Sequence, residues 1–228
     1  MTNNRTRLVY FLLLPLADLL LMVLISSQYS NSIRWRVAIA TVLVNGVSLA
    51  ISTVATLLVL DNNQGIDLFV LANASRSLKY WYSKVITAFL VSFVGTLLSL
   101  LILVLLSAPI KLVLLAILLS IPLIISGIIV GITCWVAAWG LENPYLFSNG
   151  VSSVMVLVCG NLVSLNLYPA WLKYFSMLFP FGATIGKMVN NSVPVTHDIF
   201  VDLVWLIIGG VMYVIMRHRV LEGVIKRH

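Results

Sequence analysis

Charge is what this chain has least of. Across 228 residues, Asp, Glu, Lys and Arg together make up 9%, and hydrophobic residues make up 61%. A soluble domain averages roughly 25% charged and about 45–50% apolar residues, so this composition excludes an ordinary soluble fold. Cysteine is nearly absent. Cys134 and Cys159 lie in separate apolar stretches without a Cys-x-x-Cys pair, which excludes a disulfide framework and a cysteine zinc site and leaves both as packing residues. Catalytic groupings are missing as well: no Ser-His-Asp, Cys-His or paired-carboxylate constellation can be assembled, so the chain is not expected to be an enzyme. The stretch Gly182–Met188 imitates a phosphate-binding loop. It has three residues rather than four between its glycines, and Met rather than Ser or Thr after Lys187, so no nucleotide or magnesium site is expected on this chain.

Long apolar runs are abundant. Mean hydropathy is +1.09, and a membrane-crossing helix needs about 20 predominantly apolar residues. That threshold places six spans near 8–27, 37–60, 85–107, 110–139, 150–167 and 199–216, the last two short and the fourth long. The expected fold is therefore an all-α integral membrane protein, a single transmembrane domain over 1–228. Arg5 and Arg7 before the first run imitate a secretory signal, but the run is long and contains Pro15 and Asp18, so it is expected as an uncleaved span.

An even number of spans puts both termini on one side. With that side cytoplasmic, Arg5, Arg7, Arg76, Lys79, Lys84, Arg217, Arg219, Lys226 and Arg227 lie inside. Arg34, Arg36, Lys111, Lys173 and Lys187 lie outside. Lys and Arg favour cytoplasmic loops, which supports this orientation in a cell membrane. The formal charge of +7 is thus assigned to orientation and anionic headgroups, with no nucleic-acid partner expected.

Spans three and four are separated only by Ser107-Ala108-Pro109-Ile110-Lys111, which predicts a tight antiparallel hairpin packed as a pair. Gly127 and Gly131 in the fourth span form a Gly-x-x-x-Gly step that admits close backbone approach, and Pro122 predicts a kink. Asp18 is the carboxylate deepest in a span. The apolar residues of its run contribute about −5 kcal/mol to insertion against about +3 for the aspartate, so it requires a polar partner such as Asn45 or a Ser/Thr of the second span, or contacts a substrate or ion. His197, Asp198 and Asp202 open the last span. Adjacent residues diverge by about 100° on a helix, which argues against a metal site; acidic charge at a helix N-terminus is the expected role.

Two segments resemble a known family. Gly65, Asp67, Leu68, Leu71, Ala72, Ser75 and Arg76 follow the order of the coupling helix of type-2 ABC transporter permeases, with Asn73-Ala74 where the family usually has Pro. Pro169-Ala170-Trp171-Leu172-Lys173-Tyr174-Phe175-Ser176-Met177-Leu178-Phe179-Pro180 is similar to the family's segment before its final span. There, short re-entrant helices close the exit, a role the resemblance places on Pro169, Trp171, Leu172, Tyr174 and Pro180. The acidic residue and Arg that usually follow are absent.

The resemblance implies a permease subunit of an ABC exporter, paired with itself or a related chain. ATP and magnesium would sit on a separate ATP-binding subunit docked at 65–76. Hydrophobic or amphipathic cargo, such as a peptide, lipid-like molecule or drug, would be moved by alternating access. The rival readings are an ATPase-independent ion-coupled transporter or channel using Asp18 and Asp202, and a non-transporting membrane immunity or scaffold protein.

Overall fold

The computed structural model describes residues 35–66, 78–160, 168–189 and 194–221, together with Ala17 and Val70 individually. The described residues form seven helices and no strand: α1 (Trp35–Asn63), α2 (Leu78–Leu105), α3 (Ile110–Ala137), α4 (Leu146–Val158), α5 (Ala170–Ser176), α6 (Gly182–Val189) and α7 (Thr196–Leu221). Among them α1, α2, α3 and α7 are long and apolar enough to cross a membrane. The chain is an all-α, membrane-embedded protein. The first expected span, 8–27, lies outside the described residues.

The fifth expected span, 150–167, is described only as far as Gly160, its remainder lying outside the described residues. Helix α4 starts at Leu146, runs for 13 residues and stops at Val158. At 1.5 Å per residue it covers about 20 Å of a hydrocarbon core of about 30 Å, and so does not cross as a continuous helix. Cys159 caps it, and Gly160 then takes a positive φ of 67°, a turn that apolar composition does not register. The last expected span is longer than the apolar run that revealed it: α7 has 26 residues and continues past Met216 through Arg217 and Arg219.

Helix α1 is the centre of the bundle. It is apolar on every side rather than along one stripe, the signature of a helix surrounded by others. Of its apolar window 61% is buried, against 11% for α7. Both α2 and α3 pack chiefly on α1, and α7 packs on α3. The expected α2–α3 pair therefore touches, but each member is buried mainly against α1.

Glycines set these contacts. A Cβ on Gly131 would stand 2.5 Å from Val54 Cγ1 and 3.0 Å from the Ile51 Cα and O, and one on Gly127 would stand 3.0 Å from Ala50 Cβ and Val47 O. Helix α2 is seated in the same way, with Gly46 of α1 under Thr96 of α2 and Gly95 of α2 under Leu49 of α1. Helix α7 brings Gly209 against Thr133 of α3. In lipid, where apolar side chains gain nothing by leaving one apolar medium for another, such close backbone approach is a main source of helix–helix attraction.

The α2–α3 connection is as tight as expected. Ser107 N–H bonds to Val104 O at 2.9 Å and Ala108 N–H to Leu103 O at 2.9 Å, the paired bonds of a Schellman motif. Pro109 then starts α3, its carbonyl accepting from Leu112 N–H and Val113 N–H. Ser107 holds the left-handed position with φ 74°.

Two outcomes follow, each read from thermal unfolding of the purified protein in detergent. Gly131→Ala lowers the midpoint, at an overpacking cost of about 1–3 kcal/mol, because the added Cβ meets the Val54 side chain at 2.5 Å with the Ile51 backbone at 3.0 Å behind it; Gly210→Ala, with nothing within 4 Å of its Cβ, leaves it nearly unchanged. Ser107→Gly raises it by relieving about 1 kcal/mol of left-handed strain.

Candidate functional site

Among the described residues, buried polar groups gather at each end of the bundle and within it. One such group joins α1 to α2. Asp61, 5% exposed, accepts from Tyr80 Oη at 2.6 Å and from Lys84 Nζ at 2.7 Å to each oxygen. Lys84 Nζ also lies 5.4 Å from the Tyr80 ring centroid. One turn separates Tyr80 from Lys84 on α2, so a single carboxylate at the end of α1 meets both. Sequence reasoning missed Asp61. Its signal was an acidic residue ending one apolar run and a Lys opening the next.

An aromatic cluster adjoins this ion pair. Trp81 packs edge-on to Tyr80 at 5.4 Å and to Tyr213 of α7 at 5.5 Å. Trp139 stacks on Tyr213 at 6.0 Å and lies 4.9 Å from Trp135. Helices α2, α3 and α7 thus meet through rings at the Asp61 end. Beside them is a cavity of about 210 Å³, lined by Trp81, Ile129, Thr133, Leu206, Gly210 and Tyr213 among others.

Of the residues expected to dock an ATPase, Gly65 alone is described. Gly65 follows the end of α1 with φ 70° and bonds to Asn62 O at 3.1 Å, so its place is that of a helix terminator. Asp67, Leu68, Leu71, Ala72, Ser75 and Arg76 lie outside the described residues, as does Asp18, expected beside the half-buried Asn45.

At the opposite end, Pro169 and Pro180 bracket α5 as the spacing requires. Pro169 N-caps α5, and Trp171 and Tyr174 are exposed while Pro180 is buried. Leu172 is half-buried. The segment is anchored to α7 by Trp205, whose Nε1–H donates to Leu178 O at 2.9 Å and whose ring lies 6.1 Å from Phe179. Tyr168 donates to Leu157 O at 2.6 Å; burial first, and the neighbouring Cys159 second, raise its phenol above the ordinary value and keep it a neutral donor.

Helix α6 is buried in the core with Phe181, Ile185 and Met188 against α1. Asp198 reaches across from α7, accepting Ala183 N–H at 3.2 Å, Thr184 N–H at 2.7 Å and Thr184 Oγ1–H at 2.7 Å. It lies in the first turn of α7 as expected, but its hydrogen bonds go to the start of α6. The first turn of α6 thus has its anion supplied by the chain itself. His197 Nδ1 lies 3.7 Å from Asp198 Oδ1, and the described residues contain no group of three or more potential metal ligands.

Asp202, one turn further along α7, bonds to α3. Ser126 Oγ lies 2.6 Å from its Oδ2 and 3.1 Å from Pro122 O. Asp202 Oδ1 is buried without a hydrogen-bond partner. Cys134 and Cys159 are buried free thiols.

Removing one partner of a buried ion pair leaves the other charge uncompensated, at a cost of about 3–5 kcal/mol. Asp61→Ala and Lys84→Met should each destabilise the protein by an amount toward the lower end of that range, since Lys84 is 19% exposed. The double variant should recover part of the loss in a thermal double-mutant cycle. Tyr80→Phe, which removes one bond to a carboxylate, should cost about 1.5 kcal/mol.

Comparison with protein-family models, curated proteins and solved structures finds no match to this chain.

Proposed function

We propose that this chain is the permease subunit of an ABC exporter, which moves hydrophobic or amphipathic cargo outward and takes its energy from a separate ATP-binding subunit. The observation that carries the reading is the segment Pro169–Pro180. Its sequence resembles the family's segment before the last span, and it forms a helix of seven residues, too short to cross a bilayer. It is followed by a second short helix buried against α1. A gate needs such a placement: an element outside the spans, in contact with the central one.

On this reading the Asp61 end faces the cytoplasm. The segment 65–76 docks the ATPase, and the Asp61–Tyr80–Lys84 linkage fixes the two helices from which that segment hangs. Movement imposed on the segment then reaches α1 and α2 together, and through α1 reaches α6. Trp171, Leu172 and Tyr174 contribute to the outer gate. A nucleotide shifts the balance of inward and outward states only by binding them differently, which the ATPase does by dimerising.

A second reading has a specific observation in its favour. Asp202, with one oxygen unpartnered inside a candidate span, suits an ion-coupled transporter that needs no ATPase.

Purification from native membranes separates the two. A stoichiometric ATPase should accompany the chain, and reversing charge at Asp67 and Arg76 should remove it while leaving the permease folded. A complex that survives both reversals overturns the docking assignment. Transport by the reconstituted chain alone, driven by a proton or sodium gradient and lost in Asp202→Asn, would establish the second reading instead.

A further inference from the structure

We infer that the cavity between α3 and α7 is a binding site for one acyl chain of an anionic phospholipid, with its headgroup held by Arg217. The cavity measures about 210 Å³ and is walled by Trp81 of α2, Ile129, Ile132 and Val136 of α3, and Leu206 and Tyr213 of α7. Apolar cavities of about 150 Å³ already accept small hydrocarbons, so this one is large enough for a stretch of acyl chain. Its floor is made by glycine. Gly209 lies under Thr133, whereas a Cβ on Gly210 would meet nothing within 4 Å, so the space over Gly210 is open. Leu206, beside it on the same helix, is half exposed, which leaves a lateral path for a chain entering from the bilayer.

Charge selects the occupant. Gly209, Tyr213 and Arg217 are spaced by four residues on α7 and stack on one face, each about one turn beyond the last. Arg217 lies just past the apolar part of α7, at headgroup depth, and its Nε is buried without a hydrogen-bond partner. Among the described carboxylates, Glu142 is exposed to solvent, and the other three are bonded to partners of their own. Asp61 holds Tyr80 and Lys84, and Asp202 and Asp198 lie 15 and 19 residues back along α7, more than about 20 Å away. A phosphodiester supplies the acceptor that Arg217 Nε lacks, in the geometry a guanidinium matches best. The apolar face of a second copy would fill the cavity but would leave that donor unmet. The inference rests on the membrane location alone, so its outcome is independent of whether an ATPase partner exists.

The test is tryptophan quenching in vesicles. The protein is reconstituted into phosphatidylcholine bilayers in which a fraction of the lipid is replaced by dibrominated phosphatidylglycerol or dibrominated phosphatidylcholine. The part of the quenching that disappears in Trp81→Phe reports the cavity. That part should favour phosphatidylglycerol by about fivefold, the preference expected of one basic residue near the surface. Gly210→Leu, which fills open space, should remove it for both lipids. Arg217→Gln should keep it but abolish the preference. The two variants act on different halves of the site, so either one, if folded by its melting curve, decides the matter. Equal quenching by the two lipids in the unaltered protein, or Trp81-dependent quenching undiminished by Gly210→Leu, overturns the proposal. So does a change of oligomeric mass in Gly210→Leu, because a second copy would then cover the cavity.

Discussion

Close backbone approach at glycine is the constraint on which the rest of this bundle depends. Helices in lipid gain no hydrophobic free energy by meeting, so association rests on dispersion contact and on the few hydrogen bonds that cross between them. Gly127 and Gly131 let α3 sit against the backbone of α1, Gly46 and Gly95 make room for the Thr96 and Leu49 side chains between α1 and α2, and Gly209 makes room for Thr133 between α7 and α3. The order α2, α1, α3, α7 is therefore a chain of contacts in which each helix is fixed by its neighbour. Polar pairs reinforce the chain at chosen heights: Asp61 with Tyr80 and Lys84 near one end, Ser126 with Asp202 toward the other. Thr133 adds a bond from its Oγ1 to Trp205 O at 3.3 Å.

The two ends are built differently. At the Asp61 end, interactions run between long helices through rings and a buried ion pair, and the contacts are rigid and directional. At the opposite end are two short helices, α6 packed against α1 and α5 against α4. They are tied down by a carboxylate from α7 and an indole N–H donating to Leu178 O. Short helices retain little stability of their own. Their position depends on these ties, and an element of that kind is suited to being moved.

Much of the fold was legible in the sequence because its signals are local. Runs of about 20 apolar residues gave α1, α2 and α3 to within a few residues at most ends, with α2 starting seven residues before its apolar run. The five residues from Ser107 to Lys111 required a tight hairpin, and Gly127 with Gly131 marked a close packing face. The spacing of Pro169 and Pro180 announced a short helix. The failures share the opposite property. A hydropathy window averages over Gly160 and so ran a span through it. Asp61 and Lys84 are 23 residues apart, and Asp198 caps a helix that starts 16 residues earlier in the chain. Neither pairing has a periodicity to betray it. The cavity draws on three helices, and only their packing brings Trp81, Ile129 and Gly210 together.

The Ser126 hydroxyl has one hydrogen and two oxygens within reach, Pro122 O and Asp202 Oδ2. When it serves the proline carbonyl, the short 2.6 Å contact to Asp202 requires the hydrogen to come from the carboxyl group itself. When it serves Asp202, the carboxyl group can be bare. Rotation of one serine side chain thus distinguishes two hydrogen inventories between α3 and α7. The seam between these helices is held in either inventory, but its net charge differs by one.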